Sequence, residues 1–187
     1  MPSLIGDQMT SHRGWYVARQ DEFRSGIGYD AHALVEDRAL MLGGVRVPHS
    51  HGLYGHSDAD VLLHAIADAL LGAAGAGDIG QHFPPEEARY KDADSRELLS
   101  QIVELVQKRG WRVGNVDATL IAEVPKIGPY AERMCVVIAA CLGVERSAVN
   151  LKATTNESMG FIGRGEGIAA LAIATLYPLA TPDALER

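Results

Sequence analysis

The chain has 187 residues, 47% of them apolar and 22% charged, which is the make-up of an ordinary globular protein long enough to bury one core. A net charge of −7 argues against a general nucleic-acid binder, and the longest apolar run, Ile168 to Tyr177, is too short to span a bilayer.

Residues 1–24 are polar and aperiodic. They lack the apolar stretch of a secretory signal, and Asp7, Asp21 and Glu22 suit a transit peptide poorly. A flexible extension ahead of a single domain over residues 25–187 is expected. Ser25 to Ala33 alternates, with Ile27 and Tyr29 on one side, and predicts a strand. Leu40 to Val47 predicts a second strand whose Gly43-Gly44 pair suggests a bulge, and Pro48 to Gly55 a loop. Ser57 reads as the cap of a helix carrying Leu62, Leu63, Ile66, Ala69 and Leu70 as its buried stripe. A second helix is expected from a cap at Ser95 through Val106, with Gly110 just past its end. Trp111 to Glu123 predicts a strand, Pro129 opens a third helix that Gly143 ends, and Val149 to Thr155 predicts another strand. Cys135 and Cys141, six apart in that third helix, cannot face each other and read as small core residues. A glycine-rich loop, Ser158 to Gly167, precedes Ile168 to Tyr177, which pattern alone leaves open between helix and strand. Taken as a strand, it completes the order β-β-α-α-β-α-β-β. That order predicts an α+β, two-layer fold: a small mixed β-sheet with helices packed on one face.

Asp30 and His32 stand at i and i+2 of the first strand, so alternation puts both on one face with Cα atoms about 6.5 Å apart. His64 lies inside the first helix, with Asp60 and Asp68 one turn away on either side. A histidine so placed is either a satisfied core residue or a metal ligand whose ring the flanking carboxylates orient. One carboxylate oxygen and two imidazoles would make the usual three ligands of a zinc site with an open fourth position. Lys152-Ala-Thr-Thr-Asn-Glu157 ends a strand with hydroxyls and a carboxylate, which suit phosphate and hard cations, or a polar turn. Phe161-Ile-Gly-Arg164-Gly-Glu166 adds a planar anion donor, or a surface ion pair. His56-Ser57 stands at an expected helix N-terminus, where free N–H groups favour an anion. Asp78, between Gly77 and Ile79-Gly80, suits a polyol hydroxyl or an Asx-turn. His12, His49 and His51 lie in an expected tail or loop without converging partners, and these three and His82 are read as non-catalytic.

In order, Gly28-Tyr-Asp-Ala-His32, Gly55-His-Ser-Asp-Ala-Asp60 through His64, Gly77-Asp-Ile-Gly80 and Asp94-Ser-Arg96 form one series of signatures. Gly114-Asn-Val-Asp117, Ala122 to Lys126, Lys152 to Glu157 and Gly163-Arg-Gly-Glu-Gly167 continue it. Together they resemble the 2-C-methyl-D-erythritol 2,4-cyclodiphosphate synthase family from about Gly26 onward. The resemblance implies a bacterial, cytoplasmic homotrimer with active sites between subunits. The implied substrate is 4-diphosphocytidyl-2-C-methyl-D-erythritol 2-phosphate, cyclised with release of CMP in the non-mevalonate route to isoprenoid precursors. It implies zinc on Asp30, His32 and His64, and a second ion, magnesium or manganese, on Glu157. His56 and Thr155 would stabilise the transition state. Substrate contacts are implied at Asp30, His32, His56, Ser57, Asp78, Ile79, Gly80, Phe83, Glu86 and Glu87. Further contacts would come from Ala122, Pro125, Lys126, Ile127, Gly128, Thr154, Thr155, Asn156 and Glu157, largely toward the CMP part, and from Phe161 and Arg164. The resemblance also implies a central cavity, near Phe161, Arg164 and Glu166, able to take an isoprenoid diphosphate.

The chain departs from the family pattern at Pro85, where aspartate is common, and at Asn156, where threonine is frequent. Any side-chain contact at position 85 is therefore in doubt, with Glu86 a candidate to compensate. In some organisms a cytidylyltransferase domain is fused upstream; residues 1–24 are far too few to form one. Two other readings use the same residues: a zinc phosphohydrolase, or a trimeric module that binds an isoprenoid diphosphate without chemistry.

Overall fold

The structure, a computed structural model, describes residues 22–179. Residues 1–21, which hold most of the expected extension and His12, lie outside the described residues, as do residues 180–187. In chain order the elements are β1 (Arg24–Glu36), β2 (Leu40–Leu42), β3 (Val45–Val47), β4 (His51–Leu53), α1 (Val61–Ala74) and α2 (Ile79–His82). They continue with α3 (Ser95–Lys108), β5 (Trp111–Ile121), α4 (Gly128–Leu142), β6 (Val149–Thr154), α5 (Gly160–Gly163) and β7 (Gly167–Pro178).

Five strands form one mixed sheet in the order β4-β1-β7-β5-β6. β7 runs antiparallel to both neighbours, while β5 and β6 are parallel. A parallel pair needs a crossover, and α4 supplies it. Ile168 to Tyr177 is thus a strand, and its alternation shows which side is covered: Ala170, Ala172, Ala174 and Leu176 are buried while Leu171 and Ile173 are exposed.

The buried side carries the helices. α1 packs on β1 and β7, α3 lies against α1, and α4 against α3 and β6. α1 can lie so close because the strand beneath it is stripped of side chains. A Cβ added at Gly28 would stand 1.9 Å from the Ala65 carbonyl oxygen, and one at Gly26 would stand 2.1 Å from that of Ala69. Small residues on α1 meet glycines on β1, and the helix holding His64 is drawn down onto the strand holding Asp30 and His32.

Several local expectations are corrected. Leu40 to Val47 is a hairpin, not one bulged strand: Leu42 pairs with Val45, and Gly43 and Gly44 have φ of 57° and 71°. A two-residue turn with both centres in the left-handed region is where a Gly-Gly pair belongs. The expected loop 48–55 contains β4, which pairs with the end of β1, and the loop 158–167 contains the single turn α5. Helix α1 is capped by Asp60, not Ser57, and α3 by Asp94, not Ser95. In each case a carboxylate, three residues after Ser57 or one before Ser95, takes the free amides in place of the serine. Cys135 is buried and Cys141 partly buried, and neither is in a disulfide.

Candidate metal centre and active site

Alternation along β1 points Asp30 and His32 to the helical side, and the first turn of α1 brings His64 over them. Asp30 Oδ2 lies 2.9 Å from His32 Nε2 and 3.0 Å from His64 Nδ1, and the two imidazole nitrogens are 3.2 Å apart. A tetrahedral ion with metal–ligand bonds of about 2.0–2.1 Å would set its donors about 3.3 Å apart, so this triangle fits such an ion with little adjustment. Among the described residues this is the only group of three histidine, cysteine or acidic side chains with donors so close together. The charges agree with a shared site. Burial opposes ionisation of Asp30, but hydrogen bonds from His32 and His64 outweigh it and hold the carboxyl well below its usual range. Burial also opposes a charged His64, yet the hydrogen bond and charge of Asp30 push its pKa up.

The flanking carboxylates of α1 do not orient His64, contrary to expectation. Asp60 is fully buried and accepts from the amides of Gly43, Gly44, Leu62 and Leu63, so it joins the hairpin turn to the helix start. Asp68 accepts from the Ile79 amide at 2.8 Å and anchors the loop before α2. His64 Nε2 instead meets Ser95 Oγ at 3.0 Å and Ser57 Oγ at 3.2 Å.

Beside the triad opens a cavity of about 200 Å³, lined by His32, His56, Ser57, His64, Ile79, Gly80, Phe83, Pro85, Tyr90 and Leu98. The His56 ring rests against the Glu87 carbonyl, Nε2 to O 3.3 Å. The preceding loop is held by Arg38, which donates to the carbonyls of Gly55 and Ser57 at 2.8 and 2.6 Å. Asp78 caps α2 and accepts from the Gln81 amide at 3.0 Å. Glu87 pairs with Arg89, and Glu86 does not line the cavity.

A second cavity, of about 560 Å³, is formed at the ends of β5 and β6 and the start of α4. Ala122, Pro125, Lys126, Ile127, Gly128, Thr154 and Thr155 all line it, with Glu123 and Leu151. The two cavities share no lining residue. Glu157 and Asn156 follow in an exposed loop where Glu157 and Ser158 both have positive φ, 50° and 62°. Glu123 braces that loop by accepting from the amides of Asn156 and Ser158, at 2.9 and 3.1 Å. Thr155 Oγ1 donates to Glu157 at 2.9 Å. Phe161 and Arg164 line neither cavity, and Arg164 makes a two-pronged pair with Glu166 at 2.7 and 3.0 Å.

The profile of the YgbB family matches residues 23–177. The chain belongs to the YgbB family. It is 60% identical, over 154 residues, to a 2-C-methyl-D-erythritol 2,4-cyclodiphosphate synthase of Geobacillus kaustophilus, covering 82% of this chain and 98% of that protein. The bifunctional IspDF of Campylobacter jejuni superposes with a TM-score of 0.82 at 42% identity, covering 84% of this chain and 43% of that one. IspF of Plasmodium falciparum, solved as a CDP complex, superposes with a TM-score of 0.74 at 34% identity, over 84% of this chain and 97% of that one. The YgbB match takes in both cavities and the triad.

Within this YgbB member, motif spacing located the three donors but missed Arg38, Asp58, Tyr90, Leu98, Ser95 and Glu123, which act on the two sites from other elements. Ser95, expected as a helix cap and part of the Asp94-Ser-Arg96 signature, is instead fully buried against His64.

Proposed function

We propose that this YgbB family member converts 4-diphosphocytidyl-2-C-methyl-D-erythritol 2-phosphate to 2-C-methyl-D-erythritol 2,4-cyclodiphosphate and CMP. The observation that carries this reading is the Asp30–His32–His64 triangle with its free side toward a small cavity. High identity to named synthases over nearly their full length supports it.

An oxygen of the 2-phosphate attacks the β-phosphorus, and the bond from that phosphorus to the bridging oxygen breaks, leaving with its electrons on CMP. The nucleophile is already an anion, so the barrier lies in bringing negative phosphates together and in line. A zinc ion on Asp30, His32 and His64, and magnesium or manganese on the exposed carboxylate of Glu157, would neutralise that charge. Ser57 and His56 face the small cavity, where His56 would donate to a phosphate oxygen by giving up its long 3.3 Å hydrogen bond to the Glu87 carbonyl. Ile79, Gly80 and Phe83 line the small cavity at the erythritol end, and Asp78, Glu86 and Glu87, outside that lining, would reach the substrate only from its edge. The larger cavity holds the CMP end, with Lys126, Thr154 and Thr155 its polar contacts. Asn156 and Glu157 extend that wall, and His56 and Thr155 stabilise the transition state.

The two halves are completed by neighbouring subunits of a homotrimer. The outer face of the sheet supports this: Ile27 pairs with Ile173 and Tyr29 with Leu171, and these four side chains are 65%, 47%, 56% and 37% exposed. Such an apolar stripe on the uncovered side of a sheet marks an interface. Phe161 and Arg164 would then face the trimer axis and a cavity for an isoprenoid diphosphate. The domain is taken as residues 25–187 after an extension of residues 1–24, with β1 reaching back one residue into that extension at Arg24. No helix among the described residues is long and apolar enough to cross a membrane. A bacterial cytoplasmic location is proposed.

The test is incubation with the cytidyl substrate and a divalent metal, followed by product analysis. CMP and the cyclic diphosphate are expected in equal amounts. Release of inorganic phosphate without cyclisation would replace the synthase with a hydrolase.

A further inference from the structure

The side of His64 turned away from the metal donors carries an unassigned arrangement. Ser95 Oγ lies 3.0 Å from His64 Nε2 and 2.5 Å from Asp58 Oδ1, and Asp58 Oδ2 accepts the Ser95 amide at 3.2 Å. Asp58 Oδ1 also takes the Asp60 amide at 3.2 Å, so both carboxylate oxygens face donors. Proton counting gives the chain a direction. A carboxylate offers acceptors only, and a serine has a single proton. Ser95 donates that proton to Asp58 and can only accept on its other side. The His64 nitrogen that faces it must therefore carry hydrogen. Facing the Asp30 carboxylate at 3.0 Å, Nδ1 also carries hydrogen while no ion is bound, and a cation entering the triangle would displace that proton. With Nε2–H held by Ser95, the neutral ring then has its lone pair on Nδ1, 3.2 Å from His32 Nε2.

We propose that Ser95 and Asp58 are positioning residues of the metal centre: the chain from His64 Nε2–H to Ser95 to Asp58 fixes the ring so that Nδ1 is offered to the ion. This rests on the metal-centre reading above. Neither residue supplies a donor atom to the triangle; Ser95 meets the far nitrogen of His64, and Asp58 acts through Ser95. The arrangement has a consequence for Ser57, whose Oγ lies 3.2 Å from the same nitrogen and accepts the Ala59 amide at 3.1 Å. Because Nε2 already bears hydrogen, the Ser57 hydroxyl proton is left free to point at a ligand in the cavity.

The variants isolate the chain from the fold. Ser95→Ala removes the acceptor, while the cap of α3 survives because Asp94 provides it. Asp58→Asn keeps the shape, but its amide nitrogen must face one of three donors. Zinc affinity, measured by competition with a chromophoric chelator, should fall about 10- to 100-fold in each variant. The double variant should lose no more than the worse single one, since either break interrupts the same chain. Nitrogen-detected NMR of the metal-free wild type should show hydrogen on His64 Nε2 in a strong hydrogen bond, and that signal should disappear in Ser95→Ala. Wild-type zinc affinity in both variants, additive losses, or an unprotonated Nε2 would each overturn the proposal. A wild type that takes up no zinc would instead sink the metal centre, and the NMR signal would still decide the chain.

Discussion

His64 and Asp30 share the shortest route to a test of the metal centre. Either His64→Ala or Asp30→Ala leaves two donors where three converge, and zinc content per chain should drop from one to a small fraction, read by elemental analysis of dialysed protein. Unchanged metal content in both variants would show that the triangle is a hydrogen-bonded cluster only. Glu157 separates the two proposed ions, one on the triangle and one on its own carboxylate. Glu157→Gln keeps the shape of the side chain but removes the charge that attracts a hard cation. Zinc should remain, because its ligands lie on β1 and α1, whereas turnover should fall by orders of magnitude and recover weakly at raised magnesium. Full activity at ordinary magnesium would reduce Glu157 to a turn residue. The donors were legible in sequence because both periodicities are rigid: i and i+2 share a strand face, and a helix has a fixed inner stripe. Ser95 and Asp58 were not, because they reach His64 from the start of a different helix and from a loop, and no local spacing encodes that meeting.

At the scale of an element, helix starts illustrate the same limit. Serine and aspartate both cap well, so a sequence containing Ser57 and Asp60, or Asp94 and Ser95, does not choose between them. The choice is made by tertiary neighbours, here the hairpin amides of Gly43 and Gly44, which need a carboxylate. The strands were largely legible, since Ile27 and Tyr29 alternate with residues that α1 covers; the short pieces β2, β3 and β4 were not, being fixed by pairing. The cap of α3 carries a pH signature. Asp94 is held below the usual carboxylate range by its hydrogen bond to Arg96, against a smaller cost of burial, with the Arg96 amide also helping. A depressed folded value means that its contribution is full above the unfolded pKa and is lost as pH falls through the folded one. Asp94→Asn should keep the cap and flatten that loss. The difference between wild type and variant, from urea unfolding at pH 7 and pH 3, should be within about 1 kcal/mol because the pair is largely solvent-exposed. A wild type and variant with parallel acid dependence would exclude Asp94 as its source.

For the whole molecule, the uncovered sheet face makes association testable without reference to chemistry. A charge at its centre, Ile173→Glu, should shift sedimentation from trimer to monomer and abolish CMP release, while leaving the helical core, which lies on the other side, intact by circular dichroism. A variant that stays trimeric would move the interface elsewhere. Deleting the first 22 residues should leave unfolding midpoint and turnover nearly unchanged, because that segment lacks a core pattern; a monomeric or inactive product would give the extension a structural role.

The place of β7 in the sheet has a meaning in time as well as in space. It lies between β1 and β5 and is the last strand of the described chain to be synthesised. Until it arrives, β1 has only the short β4 beside it and β5 has only β6, and Arg24 must wait for Leu176 to find its register. Closing so long a loop is entropically slow, and the gain comes only when the central strand enters. His64, Asp30 and His32 lie on α1 and β1 and leave the ribosome early, well before the neighbour that centres β1 in the sheet. The strand that carries Asp30 and His32 is therefore seated in its full sheet only when almost the entire polypeptide has been made.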